Sequence, residues 1–283
     1  MRRRALALLV AAACTGPSSG EPDGGAEPDG AGPDADAPAP LVVVTLNLRC
    51  LIDDWEARLP VIVDGVVAAA PDVIGLEEVC LEPGGRDALE ALVAALDARG
   101  VSPLASARTV THRAWDAYDE GLAILSRHPI GEVHVAALPP GAIPRKVLVA
   151  RIERDGESVV FATTHLDHQD AAVRARQASA ASSAVAAVAS AGPRVLVGDL
   201  NEGPGGGVTS ALAADAWTDA WATVHPGDPG PTFPAANPTA RIDYVWSAGG
   251  LAPQAIERTF ALPVAGVRAS DHLGLRAVLV PPD

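Results

Sequence analysis

Short apolar runs rich in β-branched residues recur along this sequence, and polar or turn-forming residues bound each of them. Residues 41–48 (LVVVTLNL) make the first such run and predict a buried strand. The same pattern predicts seven more strands, over residues 72–76, 121–125, 146–152, 158–164, 194–197, 241–246 and 273–280.

Three other segments place their apolar residues at helical spacing. Residues 55–70, 86–99 and 171–190 predict helices, and the last of them is rich in alanine. The strands fall in groups with helices between some of them, unlike the regular alternation of a parallel α/β sheet. The pattern favours two packed sheets flanked by helices.

Residues 1–14 resemble an export signal, because three arginines precede a short apolar run that ends in small residues. Cys14 follows three alanines and predicts a lipoprotein-type signal, with ordinary secretion as the alternative. Residues 15–40 are rich in Gly, Pro and Asp and predict a disordered linker. The folded domain is expected over residues 41–283, outside the cytoplasm, either lipid-anchored in the cell envelope or secreted.

The chain of 283 residues is acidic, with 21 Lys plus Arg against 35 Asp plus Glu and a formal charge of −14. This balance argues against a protein that holds DNA or RNA by charge alone, since such binding needs basic side chains to neutralise phosphates. Catalysis on a phosphate ester stays open, because a bound cation supplies positive charge locally.

The predicted strands end in polar residues that a hydrophobic core would not favour. Carboxylates, amides and imidazoles at several strand ends are the side chains from which catalytic sites are built. These residues are Asn47, Glu77, Glu78, His165, Asp199, Asn201, Asp243, Asp271 and His272.

A purely structural role is the alternative for several of these residues. His165 can be a satisfied buried histidine. Asp199 and Asn201 can cap a strand-to-turn junction, where Asp and Asn are common. Asp243 can form an ion pair with Arg241, two positions earlier.

The polar residues belong to motifs that occur in a characteristic order: TLN, GLEEV, GLAILSRHPI, TTHLDH, GDLNEGP, RIDYVW and SDHLGL. In this order the motifs resemble the endonuclease/exonuclease/phosphatase superfamily over residues 41–280. The resemblance implies an α/β fold of the α+β, DNase I-like type. Such a fold is a four-layered sandwich of two packed mixed β-sheets with helices outside.

The resemblance implies catalytic roles for five residues. Asp199 matches the residue that orients and deprotonates the attacking water, and Asn201 matches the one that stabilises the developing phosphorane charge. His165 matches the histidine that contacts phosphate oxygens or the leaving group. His272 matches the second histidine, and Asp243 matches the carboxylate that holds its tautomer.

The resemblance also implies a divalent cation, Mg²⁺ or alternatively Mn²⁺ or Ca²⁺. Glu78 matches the metal ligand, and Asn47 and Asp271 complete the expected metal-binding set. Hard oxygen ligands suit these ions. Glu77 stands where the family has Gln and is expected to add negative charge beside the site.

Cys50 and Cys80 each follow residues expected at the mouth of the site. Left-over cysteines of an exported protein often pair, so a disulfide between them is expected to brace the two loops. Their spacing is not that of zinc ligands.

The expected reaction is hydrolysis of a phosphate ester, most simply a phosphodiester. Phospholipid head groups, nucleic acids and small phosphodiesters are the candidate substrates, because specificity depends on loops. The chain is expected to be a monomer that meets a membrane only through a lipid anchor.

Two other functions stay open at this point. A nuclease would need a basic groove, for which Arg108, Arg113, Arg145 and Lys146 are the candidates. A non-catalytic binding module on the same scaffold is disfavoured, because the expected metal ligand, base and both histidines are present.

A polar segment containing His112, Arg113, Trp115 and Tyr118 is predicted to form a loop. These side chains could contact substrate, although loops of this composition often have no specific role.

Overall fold

The computed structural model describes residues 39–101, 104–154 and 156–281. The predicted signal segment, residues 1–14, and nearly all of the predicted linker, residues 15–40, lie outside these ranges. Within them the first strand begins at Leu41, and no helix is long and apolar enough to cross a membrane.

The described ranges contain strands and helices in an irregular order. In chain order they are β1 (Leu41–Asn47), α1 (Trp55–Ala69), β2 (Val73–Leu81), α2 (Ala88–Asp97), β3 (Ala105–Ala114), β4 (Tyr118–Ser126), β5 (Ile130–Ala137), β6 (Lys146–Arg154), β7 (Glu157–His165), α3 (Ala171–Val188), β8 (Arg194–Asp199), α4 (Gly207–Ala214), β9 (Thr218–Asp219), α5 (Ala220–Val224), β10 (Asp243–Ala248), β11 (Ala252–Thr259) and β12 (Gly274–Val280).

The strands form two six-stranded mixed sheets. The first has the order β11-β12-β1-β2-β4-β3, and the second has the order β5-β6-β7-β8-β10-β9. In each sheet the central pair is parallel, β1 with β2 and β7 with β8, and the flanking pairs are antiparallel. A parallel pair needs a crossover connection, which α1 and α3 supply.

Three apolar clusters separate four layers. The cluster between the sheets includes Val43 and Phe161, both fully buried. Ile62 belongs to the cluster beneath α1 and α2, and Ala181 to the cluster beneath α3 and α4. Full burial of one large apolar side chain contributes about 1.5–3 kcal/mol, so these clusters are the main source of stability. The four-layered sandwich implied by the sequence is confirmed.

All the predicted strands and helices are present, with ends that differ by up to five residues, and all the predicted strands lie inside the sheets. The sequence pattern misses the four strands at the sheet edges, β3, β5, β9 and β11, and the short helices α4 and α5. An edge strand buries less of its surface, so its apolar signal is weak. Strand β5 shows this, because six of its eight residues are exposed.

The predicted disulfide between Cys50 and Cys80 is confirmed, with Cα atoms 4.9 Å apart. It joins the loop after β1 to the end of β2.

Arg58, in α1, fixes the loop that follows β1. Its guanidinium is buried, and the positive charge is spread over backbone carbonyl oxygens that would otherwise lack donors. It donates to the carbonyl oxygens of Leu48, Arg49, Cys50, Ile52 and Ala269 at 2.8–3.2 Å.

Candidate active site

The carboxyl ends of the two central parallel pairs meet at one edge of the sandwich. In the first sheet Asn47 lies beside Glu77, and in the second His165 lies beside Asp199. The side chain of Asn47 donates from Nδ2 to Oδ2 of Asp199 across the sheets, at 3.2 Å. Parallel neighbours end at the same edge, which brings together residues far apart in the chain.

The buried amide of Asn47 holds two carboxylates near one point. Its Nδ2 also donates to Oε1 of Glu78 at 3.0 Å, and its Oδ1 accepts from the backbone N–H of Arg49 at 2.9 Å. The amide orientation is therefore fixed by three partners. Glu78 and Asp199 approach each other because they share one donor.

An irregularity in β2 directs Glu78 into the site. The pairing of β2 with β4 shifts between Leu76 and Val79, and Glu78 has a φ of 49°. A bulge of this kind re-aims side chains beside a functional site. A left-handed residue other than glycine costs about 1–3 kcal/mol. A hydrogen bond from the backbone of Cys50 to the carbonyl oxygen of Glu78, at 3.1 Å, helps to hold it.

Glu77 turns away from the pocket, into the space between the sheets. It is fully buried and accepts from the hydroxyls of Thr45 at 3.1 Å and Thr163 at 2.6 Å. Burial raises the pKa of Glu77 well above its ordinary value, Thr163 opposes this shift, and the charge of Asp243 adds to it. The side chain that stands where the family has an amide is therefore turned away from the pocket, and its burial disfavours the charged form.

Asp199 lies between two imidazoles. Its Oδ2 is 3.4 Å from Nε2 of His165 and 3.7 Å from Nε2 of His272. Nδ1 of His272 faces both carboxylate oxygens of Asp243, at 3.0 and 3.1 Å. All four residues are buried. Asp243 therefore fixes the ring of His272 and directs its Nε2 at Asp199.

Asp243 does not form the ion pair with Arg241 that was the structural alternative for it. The guanidinium of Arg241 instead donates to Asp219, at 2.8 Å.

The two histidines differ in charge. Burial lowers the pKa of His165 well below its ordinary value, and the charge of Arg145 lowers it further. Burial also lowers the pKa of His272, but the carboxylates of Asp243 and Asp199 outweigh it and raise the pKa to about 10. A neutral and a charged imidazole thus flank one carboxylate, an arrangement that separates acid and base roles.

Asp199 itself has a pKa near neutrality. Burial raises the pKa of Asp199 to about 7, the charge of His272 opposes the shift, and the charge of Asp243 adds to it. Such a carboxyl group can exchange a proton with water at physiological pH.

One pocket of about 530 Å³, which we call the catalytic pocket, contains most of the predicted site. Asn47 and Asp243 lie directly behind it and hydrogen-bond to residues of its wall. The polar residues that line it include Glu78, His165, Asp199, Asn201, Asp271 and His272. The apolar residues that line it are Ala114, Trp115, Ile143, Phe233 and Ile242.

Asp271 occupies the edge of the catalytic pocket, where its carboxylate forms an ion pair with Arg49. Its hydroxyl neighbour Ser270 donates to Oδ1 at 3.3 Å. Asp271 is therefore near the predicted metal-binding residues, but a guanidinium already neutralises part of its charge.

The carboxylates and imidazole around Asp199 form a group able to hold a metal ion. Ligand-type atoms of Asp199, Asp243 and His272 lie within 4.8 Å of one another. Asp243 and His272 already bond to each other, however, so their free lone pairs are partly used. Asn47 links Asp199 to Glu78 on the opposite side, which offers a second, oxygen-rich position.

Two residues of the pocket, Arg145 and Phe233, have no catalytic role predicted from the sequence, although Arg145 was a candidate for a nuclease's basic groove. Arg145, just before β6, is 4 % exposed, and its ion-pair partner Glu120 is 3.9 Å away. Its Nε has no hydrogen-bond partner among the described residues. The ring of Phe233 packs on His272 with centroids 4.7 Å apart. The only signals in the sequence that could have indicated these two residues are that Arg145 is a basic residue just before a strand and that Phe233 is an aromatic residue in a long polar segment.

The predicted loop around Trp115 is wrong, because its residues form the end of a β-hairpin. His112 and Arg113 belong to β3, Tyr118 begins β4, and Trp115 lies in the turn between them. The hairpin borders the catalytic pocket through His112, Arg113 and Trp115.

A two-sheet sandwich that gathers carboxylates, amides and imidazoles at its strand ends defines the DNase I-like class of α/β proteins. The chain belongs to the Endonuclease/Exonuclease/phosphatase family, whose model matches residues 44–272. This family comprises phosphoesterases and nucleases, and the resemblance drawn from the motifs is confirmed. No curated protein matches the chain.

Solved structures agree with this assignment. An endonuclease/exonuclease/phosphatase from Beutenbergia cavernae is 26 % identical with a TM-score of 0.71, over 87 % of this chain and 72 % of that one. The human Nocturnin catalytic domain with bound sulfate is 18 % identical with a TM-score of 0.67, over 85 % and 94 %. D. rerio TDP2 with a single-strand DNA product is 18 % identical with a TM-score of 0.66, over 85 % and 98 %. The last two likenesses concern the fold alone.

Proposed function

We propose that this protein hydrolyses phosphodiesters outside the cytoplasm with the help of a divalent cation. The observation that carries the proposal is the position of Asp199, whose Oδ2 meets an amide and two imidazoles from separate elements. A near-neutral carboxyl group beside a charged imidazole provides a base and an acid within one site.

Proton transfer follows from the two charge states. Asp199 takes a proton from water, whose oxygen attacks phosphorus. His272, kept charged by Asp243, gives its Nε2 proton to the leaving oxygen as the bond between phosphorus and that oxygen breaks. Each such transfer is worth about 10²–10⁴ in rate.

The remaining side chains bind the phosphate. His165 contacts a phosphate oxygen, and the guanidinium of Arg145, which lines the pocket, donates to another. Asn201 stabilises the five-coordinate phosphorane. Its backbone N–H donates to Oδ1 of Asp199 at 3.0 Å, and its Nδ2 donates to the carbonyl oxygen of Leu166 at 3.2 Å, which fixes its place in the pocket wall.

A hard cation fits the residues around Glu78. Glu78 and Asp199 share the amide of Asn47, and Glu120 faces the same pocket, so acidic oxygens crowd this side. Oxygen donors of this kind suit Mg²⁺, Mn²⁺ or Ca²⁺. We assign Glu78 as the ligand, with Asn47 and Asp271 in support. When bound, the cation neutralises phosphate charge and polarises the ester.

Of the four candidates for a nuclease's basic groove, Arg113 and Arg145 line the catalytic pocket, and Arg108 and Lys146 do not. Arg108 forms an ion pair with Asp87, and Nζ of Lys146 donates to the carbonyl oxygen of Val110 at 2.6 Å. With the acidic net charge, this favours a small phosphodiester over a nucleic-acid strand.

The disulfide between Cys50 and Cys80 supports the proposed export, because disulfides persist in oxidising compartments. We propose that Cys14 carries a lipid anchor and that the protein is a monomer. Cell fractionation of the wild type and a Cys14→Ser variant tests the anchor, which predicts loss of the variant from the membrane fraction.

Hydrolysis assays test the proposed reaction. Bis-p-nitrophenyl phosphate, p-nitrophenyl phosphate, sphingomyelin and plasmid DNA are each assayed with Mg²⁺, Mn²⁺ or Ca²⁺. We expect diester hydrolysis that depends on the cation and that falls by about 10²–10⁴ in Asp199→Ala. Asp215→Ala, at an exposed position after α4, is the matched control and should retain activity. Unchanged turnover in Asp199→Ala, or no hydrolysis of any substrate by the wild type, would refute the proposal.

A further inference from the structure

Trp115 differs from the other tryptophans of the chain. It is 64 % exposed, whereas the other four are 2–5 % exposed and belong to the cores. A single exposed apolar side chain is common on protein surfaces and by itself indicates nothing. The position and the backbone of Trp115 are what set it apart.

The backbone at the hairpin turn is unusual for a bulky residue. Trp115 has a φ of 48° and Asp116 a φ of 54°, in the left-handed region that Gly, Asn and Asp favour in such turns. The turn is closed by a hydrogen bond from the N–H of Ala117 to the carbonyl oxygen of Ala114, at 2.9 Å. A glycine would fit this turn with less strain, so the indole is not there for the stability of the hairpin.

The strands on either side hold the turn in place. Arg113 donates to the carboxylate of Asp119 at 3.1 Å and to the carbonyl oxygen of Asp116 at 2.9 Å. The rings of Trp115 and Tyr118 are perpendicular, with centroids 6.2 Å apart. The indole is thus presented at a defined place in the wall of the catalytic pocket.

We propose that Trp115 stacks on a planar aromatic ring carried by the substrate, such as a nucleobase or an aryl group. This inference rests on the proposed function, because the same substrate places its phosphate beside Asp199. The pocket, at about 530 Å³, leaves room for a substituent besides the phosphate. Base-to-aromatic stacking tolerates any ring, which suits a single exposed indole.

A quaternary ammonium group is the less favoured occupant. Such groups are bound by cages of several aromatic rings. Phe233, the other aromatic ring of the pocket wall, already packs on His272. Arg113 and Arg145 line the same pocket and suit the phosphate to which a ring is joined.

Binding of two phosphate monoesters tests the stack. Adenosine 5′-monophosphate carries a base, and ribose 5-phosphate lacks it; each is titrated into the full protein with Mg²⁺ and followed by calorimetry. We expect the wild type to bind the nucleotide about ten-fold more tightly. Trp115→Gly should lose this preference and leave ribose 5-phosphate binding unchanged, while Trp115→Phe should retain most of it.

Stability and control variants separate this role from a structural one. Trp115→Gly should unfold at the same temperature as the wild type or higher, because glycine relieves the left-handed backbone. Leu262→Ala, at a residue 80 % exposed outside the pocket, should keep the preference. Equal wild-type affinities, no binding of either compound, or a preference that survives in Trp115→Gly would overturn the proposal.

The hydrolysis assay keeps the two proposals apart. Bis-p-nitrophenyl phosphate carries aromatic rings, whereas the diester glycerophosphoglycerol has none. Trp115→Gly should raise KM for the first about ten-fold with little change for the second, which is followed by the release of glycerol. If the protein hydrolyses diesters without any preference for a ring, only the proposed stacking by Trp115 is refuted. If it prefers the nucleotide but hydrolyses no diester, only the proposed hydrolysis is refuted.

Discussion

Two neighbouring cavities share Asp271 but differ in how far their charged side chains are paired with partners of opposite charge or with hydrogen-bonding groups. The first is the catalytic pocket. The second, which we call the arginine cavity, has a volume of about 430 Å³ and is lined by Arg49, Asp53, Arg58, Arg268 and Asp271 among others.

Charges in the arginine cavity are matched. Arg49 forms ion pairs with Asp53 and Asp271, and Arg58 uses its donors on backbone carbonyl oxygens. Charges in the catalytic pocket are matched only in part. An oxygen of Glu120 lies 3.9 Å from the guanidinium of Arg145. Burial and the nearby charge of Glu78 raise the pKa of Glu120 to about 7, although the charge of Arg145 opposes this shift.

The difference between the two cavities distinguishes buried polar groups that stabilise the fold from buried polar groups that serve a reaction. Satisfied polar groups stabilise one conformation, as Arg58 does for the loop after β1. Crowded carboxylates are costly in the folded protein and persist where a reaction or a cation uses them. Four substitutions test this distinction, beginning with the largest expected effect.

Removing the acid should stop the reaction while the fold survives. His272→Ala is expected to lower kcat by about 10²–10⁴, because no other group at that place gives a proton to the leaving oxygen. Steady-state hydrolysis with circular dichroism measures activity and fold together. His134→Ala, at an exposed position in β5, is the control. Wild-type kcat in His272→Ala would mean that the leaving oxygen needs no help from this imidazole.

Removing the central cation of the arginine cavity should instead weaken the fold. Arg58→Met leaves several buried carbonyl oxygens without a donor, at about 1–3 kcal/mol each, so we expect a loss of about 3 kcal/mol or more in urea unfolding. Arg268→Met is the control. Its guanidinium donates to Ala261 at 2.9 Å near the surface, and its effect should stay within about 0.5 kcal/mol. Equal stabilities of the two variants would contradict the contrast.

Weakening the predicted metal ligand should change the cation requirement more than the fold. Glu78→Gln keeps the shape but loses the charge, and we expect the Mg²⁺ concentration for half-maximal activity to rise by at least about ten-fold. Glu90→Gln, exposed on α2, should leave it unchanged. The same Mg²⁺ dependence in Glu78→Gln as in the wild type would move the ligand role to another residue.

The smallest effect concerns stability against pH. The folded pKa of Asp199, about 7, is above its ordinary value of 3.8, so the folded state holds this proton more tightly. Its contribution to stability is present below about pH 4 and is lost as the pH rises through 7. Without divalent cations, Asp199→Asn should therefore be more stable than the wild type at pH 8, by about 0.5–2 kcal/mol. A stability difference independent of pH would rule out this cause.

The interior strands were predictable because their signal is local. Residues 41–48 and 194–197 are continuous apolar runs, as expected for strands covered on both faces. Strand β5, with Glu132 and His134 exposed, has a neighbour on one side and little covering, so no apolar run marks it. The position of a strand in its sheet is decided by pairing over long distances, which periodicity does not record.

The same division applies to the site. The sequence by itself determined the order of the core elements and the identities of Asn47, Glu78, Asp199 and His272, because residue type and strand-end position are written in the chain. Only the tertiary structure decided that Glu77 is buried with a raised pKa, that Arg145 faces the pocket and that Trp115 is exposed at its mouth. Burial and neighbouring charge set these properties, and both arise only when the two sheets pack together.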